Sequence, residues 1–172
     1  MRLPLIFAAA ACLASCSDPV VSNDEPVVPP TSSKLLSINP PSNWKVLVDK
    51  PGFPIAITVF NIPNPADPAN KETTNVVVGG YAATSKEAQD NLAATKRRFV
   101  KTNLQTSQRG AWVVESYSQI QAVTQYRILD GTQVLPDKTL FVRLAWPNLP
   151  GNAPGYDAEM ARSFDKLLTQ VH

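Results

Sequence analysis

The side chains that most often carry covalent or acid–base chemistry are scarce in this chain. It has one histidine, His172, at the last position, and two cysteines, Cys12 and Cys16, both within the first sixteen residues. A general base needs a partner that orients it, and a terminal residue has none, so His172 reads as a frayed end. Without a second imidazole or any thiol beyond position 16, Ser–His and Cys–His nucleophile pairs lack their components, and a sulfur-ligated zinc site lacks its ligands. Carboxylates remain as an acid–base set. Asp49, Glu115 and Asp130 fall near strand or turn positions, yet their spacing forms no motif, and Glu115 in an alternating strand reads as solvent-facing. Oxygen ligands gather once, in Asn64, Asp67, Asn70 and Glu72. The spacing is not that of an EF-hand and two carboxylates bring little charge, so the stretch reads as a solvated loop. The expectation is therefore no catalytic residue, no metal and no cofactor.

The cysteines acquire meaning from what precedes them. Arg2 supplies a minimal positive start, and Leu5 to Leu13 is an alanine-rich apolar run of nine residues. That is too short to span a bilayer, which takes about 20 apolar residues, and it fits the apolar region of a secretory signal. The run ends in Leu13-Ala14-Ser15-Cys16, which resembles the lipobox of bacterial lipoproteins. The resemblance implies a diacylglyceryl thioether on Cys16 and cleavage by signal peptidase II in front of it. Residues 1–15 are then a signal peptide, Cys12 is lost with them, and Cys16 is the lipidation site at which fatty acyl chains, palmitate among them, tie the protein to a membrane. Ser17 follows, in place of the aspartate that retains enterobacterial lipoproteins in the inner membrane, so the expected location is the periplasmic face of the outer membrane, with the inner membrane as the alternative.

Residues 16–33 read as a tether. The stretch from Ser17 to Ser33 is SDPVVSNDEPVVPPTSS, with four prolines and three acidic residues among seventeen positions. Such composition cannot bury enough surface to offset chain ordering. Proline-rich chain extends at about 3.1 Å per residue, a reach of roughly 50 Å. The remaining residues, 34–172, are of single-domain size. They carry fifteen Lys and Arg against eleven Asp and Glu, a balance too mildly basic to argue for nucleic acid.

The pattern in that domain is α+β. Period-two alternation predicts strands near 44–48, 53–60, 73–81, 110–118, 121–129 and 139–146. Trp44, Val46 and Val48 share one predicted face. Ala88, Leu92, Thr95 and Phe99 line one face of a helix over 85–103, with Thr84 and Glu87 at capping-box spacing. Met160, Phe164, Leu167, Leu168 and Val171 form the stripe of a closing helix over 157–171, with Asp157 as its cap. Asp130-Gly131 and Pro136-Asp137 read as turn signals. Short turns between successive strands imply antiparallel pairing, and the helices must bury their stripes on the sheet. The expected architecture is an antiparallel sheet of about six strands flanked by two main helices.

The opening Asn39-Pro40-Pro41-Ser42-Asn43-Trp44, the Asn-Val-Val-Val strand at 75–78 and the Phe164 helix give residues 36–171 a resemblance to the PsbP-like family, which includes DcrB-like lipoproteins. That resemblance implies an α/β/α sandwich and carries no functional residue with it. What remains is a function by subtraction: a lipid-anchored, non-catalytic domain that binds another envelope protein in secretion, assembly or immunity. A small apolar ligand or lipid carrier is the alternative, and it would require an apolar cavity between sheet and helix. Two surface features stand out as candidates for contact. One is the basic helix end formed by Lys96, Arg97, Arg98 and Lys101; the other is the aromatic rim of Trp146 to Tyr156. Both have a plain reading as well, a solvated helix end and core aromatic residues respectively.

Overall fold

A computed structural model describes residues 35–69 and 71–172. The signal, the lipidation site at Cys16 and the tether lie outside the described residues, as does Asn70.

Seven strands, not six, form one antiparallel sheet. In chain order they are β1 (Lys45–Lys50), β2 (Ile55–Ile62), β3 (Thr74–Ala82), β4 (Thr102–Arg109), β5 (Trp112–Gln121), β6 (Thr124–Val134) and β7 (Lys138–Pro147), with α1 (Lys86–Arg97) between β3 and β4 and α2 (Tyr156–Leu168) at the end. The spatial order is β1-β2-β3-β7-β6-β5-β4, so two meanders meet where β7 pairs with β3. This corrects the expected fold, an antiparallel sheet of about six strands flanked by two main helices: the sheet has seven strands. The additional strand is β4, whose sequence TNLQTSQR lacks apolar alternation because almost all of it is exposed at the sheet edge. The helix expected to run to 103 stops at Arg97, and the chain crosses through Arg98–Lys101 into β4.

Other expectations shift for local reasons. Ser85, not Thr84, caps α1: its Oγ accepts the Ala88 N–H at 3.2 Å. Gly155, at φ 84°, precedes α2, and Asp157 accepts the Trp146 indole N–H at 2.7 Å in place of capping. A bulge between Val46 and Val48 puts the two on opposite sides of β1, so Val46 packs on the core while Val48 is partly exposed. Asp130 and Gly131 form no turn; they lie within β6. Glycine is needed there because α2 sits directly above. A Cβ at position 131 would lie 3.0 Å from Leu168 Cδ2 and 3.3 Å from both Phe164 and Trp112.

Register assigns the faces. On one face Phe60, Val76, Val78, Leu140, Val142, Leu144, Val114 and Trp112 meet the α2 stripe of Met160, Phe164, Leu167 and Leu168. The segment 35–44 covers the β1–β3 side of that face, with Leu35, Leu36, Ile38 and Trp44 all buried. The Leu35 carbonyl lies so close to Gly80 that a Cβ there would sit 2.2 Å from it. On the opposite face α1 buries Ala88 and Leu92 against Tyr81 and Phe141. His172 is not frayed: its backbone N–H and C=O pair with Ser37 at 3.0 and 2.8 Å.

Candidate functional site

The most heavily charged cluster lies on the α1 face, where β6 and β7 pair. Asp130 and Arg143 are directly opposite in register. Both are almost completely buried, at 1% and 5% exposure. Arg143 donates Nε and Nη2 to the two Asp130 oxygens at 2.7 Å each, and the Tyr117 hydroxyl donates to Asp130 at 3.0 Å. The planar guanidinium fork matches the carboxylate, and this geometry lets a charge pair survive in a dry interior. The guanidinium also rests over Phe99 at 4.9 Å and Phe141 at 5.2 Å. Although burial opposes its charge, the bonds and charge of Asp130 hold the Arg143 pKa above its ordinary value. Burial, reinforced by the charge of Asp130, pushes the Tyr117 hydroxyl well above the usual phenol range.

Next to this cluster, Lys101 pairs with Glu115 and lies over the Tyr117 ring at 4.9 Å. Glu115 is therefore half-buried and paired, which corrects its reading as a solvent-facing residue. Both Asp130 oxygens are engaged within the cluster, by Arg143 and Tyr117, and Glu115 is held by Lys101, so the arrangement ties β5, β6 and β7 together across the sheet. Sequence reasoning singled out Asp130 and Glu115 but passed over Arg143. The available signal was a lone arginine alternating with Leu140, Val142 and Leu144 in an otherwise apolar strand.

The other residues singled out from sequence do not converge. Asp49 accepts the Thr58 hydroxyl at 3.0 Å near the opposite edge. In the loop considered for calcium, Asn64 bonds Asn152 and the Ala66 N–H, Asp67 accepts the Glu72 N–H at 2.5 Å, and Glu72 accepts the Tyr126 hydroxyl at 2.6 Å. The Asn64 and Asp67 oxygens thus accept N–H groups of the loop itself, and the Glu72 carboxylate ties it to β6. Among the basic residues, Lys96 donates to Thr132 at 3.2 Å, Arg98 stacks on Phe99 and Lys101 joins Glu115. Trp112 and Trp146 are core residues at 5% and 4% exposure. Gln119 is buried as well, and its amide atoms have no hydrogen-bond partner among the described residues.

Open concave surface lies elsewhere, beside α2. The helix packs over β6 and β7 and reaches Trp112 and Val114 at the start of β5, which leaves β4 and the Ser116–Ser118 part of β5 open on the same face. One flank of α2, at positions 157, 161, 165 and 168, forms a wall facing that exposed floor. Between wall and floor runs a trough in two compartments. The first, about 480 Å³, is polar, with Gln105, Ser116, Ser118, Arg127 and Asp157 on its surface. The second, about 500 Å³, is mainly apolar and is lined by Ala111, Trp112 and Leu168. Arg109 borders both; it pairs with Asp165 across the trough and lies 5.8 Å over the Phe164 ring. Arg127 pairs with Asp157 at 3.0 Å at the far end. This trough was missed from sequence because it depends on β4, whose polar residues carry no periodic signal.

No family model and no curated protein matches the chain. Among solved structures, a protein from Bacteroides thetaiotaomicron VPI-5482 is similar at a TM-score of 0.47 and 12% identity, over 80% of this chain. The chain spans less than half of that protein, 44% of its length. A likeness at this level transfers neither a function nor a site.

Proposed function

We propose that this chain is a lipid-anchored, non-catalytic binding domain of the bacterial envelope that engages a protein partner through the trough beside α2. Its task would be in secretion, assembly or immunity. The observation that carries the reading is the contrast between the two chemically rich regions. The buried Tyr117–Asp130–Arg143 cluster spends its hydrogen bonds internally. The trough presents amides, hydroxyls and an apolar compartment outward, along a strand that nothing among the described residues covers. That mixture of adaptable polar groups and an apolar recess suits recognition of a polypeptide surface. The carrier alternative has less support, because the space between sheet and helix is filled: at Gly131 even one added carbon would press on α2.

The anchor is proposed from Leu13-Ala14-Ser15-Cys16. Cys16→Ser is expected to abolish fatty-acid labelling and release unprocessed or soluble protein; unchanged labelling contradicts the anchor. The interaction is tested with the full, tagged, membrane-anchored chain in native cells, carrying a photoreactive residue at Gln105 in the trough or at Lys86 on the far face of α1. A discrete cross-linked protein from position 105 and none from 86 is the expected result. Equal or absent cross-linking at both positions refutes the reading.

A further inference from the structure

The two edges of the sheet are built differently. β1 is bulged at Leu47, begins with Lys45, ends with Lys50 and runs into Pro51. Bulges, lysines and prolines are the usual means of keeping a sheet edge from pairing with another chain. β4 has far less of this. Its irregularity is confined to its start, between Thr102 and Gln105, where Asn103 has φ 54°. From Gln105 to Arg109 its register against β5 is regular, and Thr102 through Gln108 contain no charge and no proline. Residues 102–108 are all exposed.

The hairpin defines which backbone groups are free. Arg109 pairs with Trp112 across the two-residue loop Gly110–Ala111, with Gly110 at φ 59°. The closing pair of such a loop is hydrogen-bonded, and antiparallel pairs alternate along the ladder. The N–H and C=O groups of Arg109, Ser107 and Gln105 therefore turn toward β5, and those of Thr106 and Gln108 turn outward. The side chains alternate too. Gln105 and Arg109 lie on the trough face, so β4 is at once the open edge and the outer border of the trough.

We infer that β4 receives an extended segment of the partner polypeptide as an added antiparallel strand, with alternate side chains of that segment turned toward the trough. This rests on the interaction reading above and specifies how the partner is held. Strand addition gains affinity from main-chain hydrogen bonds and specificity from recesses for alternate side chains, and β4 with its trough offers both. The uncharged edge selects a segment without charge opposite residues 105–108, and the Trp112–Leu168 compartment selects an apolar side chain at the hairpin end. A second copy of this chain is a poorer occupant. Five regular residues span only about 17 Å. Self-pairing over that length joins two polar strands, leaves both troughs unfilled and falls short of the roughly 1,200 Å² of a stable interface.

The test uses the detergent-solubilised full chain and a displayed library of random linear peptides. An enriched peptide is expected to slow amide exchange at Thr106 and Gln108, and Thr106→Pro is expected to weaken it about tenfold or more, since the substitution removes one outward N–H and blocks close approach of a strand. The Thr106 N–H takes no part in the β5 ladder and its side chain faces away from the trough, so unfolding of the variant is not expected; circular dichroism checks this. Were it to unfold, the exchange measurement on the unaltered chain decides alone. Unslowed exchange at Thr106 and Gln108, or equal binding by folded Thr106→Pro, overturns the added strand while leaving trough cross-linking from Gln105 intact. Failure to enrich any peptide alongside a cross-linked partner overturns it equally, and failure of both experiments removes the interaction reading too. Protection of the β4 amides without peptide, with a doubled mass in solution, overturns it in favour of self-association.

Discussion

Replacing Arg143 by methionine tests the view that the buried charge cluster is a structural clamp. Methionine keeps much of the side-chain volume and removes the fork. Asp130, at 1% side-chain exposure, then keeps one neutral donor, the Tyr117 hydroxyl at 3.0 Å. Leaving one partner of a buried pair alone costs about 3–5 kcal/mol. Loss of the stacking over Phe99 and Phe141 adds about 0.5–1 kcal/mol for each ring. Against a typical total of about 5–15 kcal/mol this is a large share, and at about 2–4 °C per kcal/mol it corresponds to a fall in melting temperature of about 8–28 °C. Urea titration followed by tryptophan fluorescence reads it directly, because Trp44, Trp112 and Trp146 are all buried. The informative companion is Asp130→Leu/Arg143→Met with Tyr117→Phe, which removes the charge and its hydrogen-bonded donor together. It is expected to recover to within about 2 kcal/mol of the unaltered chain, well short of the summed cost of the single changes. An Arg143→Met chain within about 1 kcal/mol of the original would refute the clamp, as would a triple variant as unstable as the sum.

Three further outcomes are expected. Gly80→Ala must displace the Leu35 carbonyl, 2.2 Å from the new carbon, and should lose about 1–3 kcal/mol, measured by denaturant midpoint; an unchanged midpoint would mean that the 35–38 segment is not packed there. Gln119→Leu removes a buried amide without a hydrogen-bond partner among the described residues and should leave stability unchanged or raise it by about 1 kcal/mol; a clear loss would show that the amide is satisfied. Burial raises the hydroxyl pKa of Tyr81, Tyr117, Tyr126 and Tyr156. The folded state thus holds phenol protons that the unfolded state releases near pH 10, so stability is full below that pH and declines above it by up to about 1.4 kcal/mol per tyrosine and pH unit. Ultraviolet titration showing normal ionisation of all four in the folded chain would contradict this.

The sequence by itself determined the elements whose residues alternate against a core. The strands through Val76–Val78 and Leu140–Trp146 and the Phe164 helix were legible because burial of one face leaves a period in the apolar residues. The absence of a thiol beyond position 16 and the single histidine were equally plain, since they are matters of composition. Tertiary structure alone decided the rest. Residues 102–109 form a strand because β5 offers them a ladder, and an exposed edge imposes no pattern that could reveal it in advance. Asp130-Gly131 looks like a turn in one dimension; in three, the glycine admits α2 and the aspartate meets Arg143 from the neighbouring strand. The trough was the least legible feature, because it is the area that α2 fails to cover, and which part of a sheet stays open follows from where a helix comes to rest on it, not from any residue's own preference.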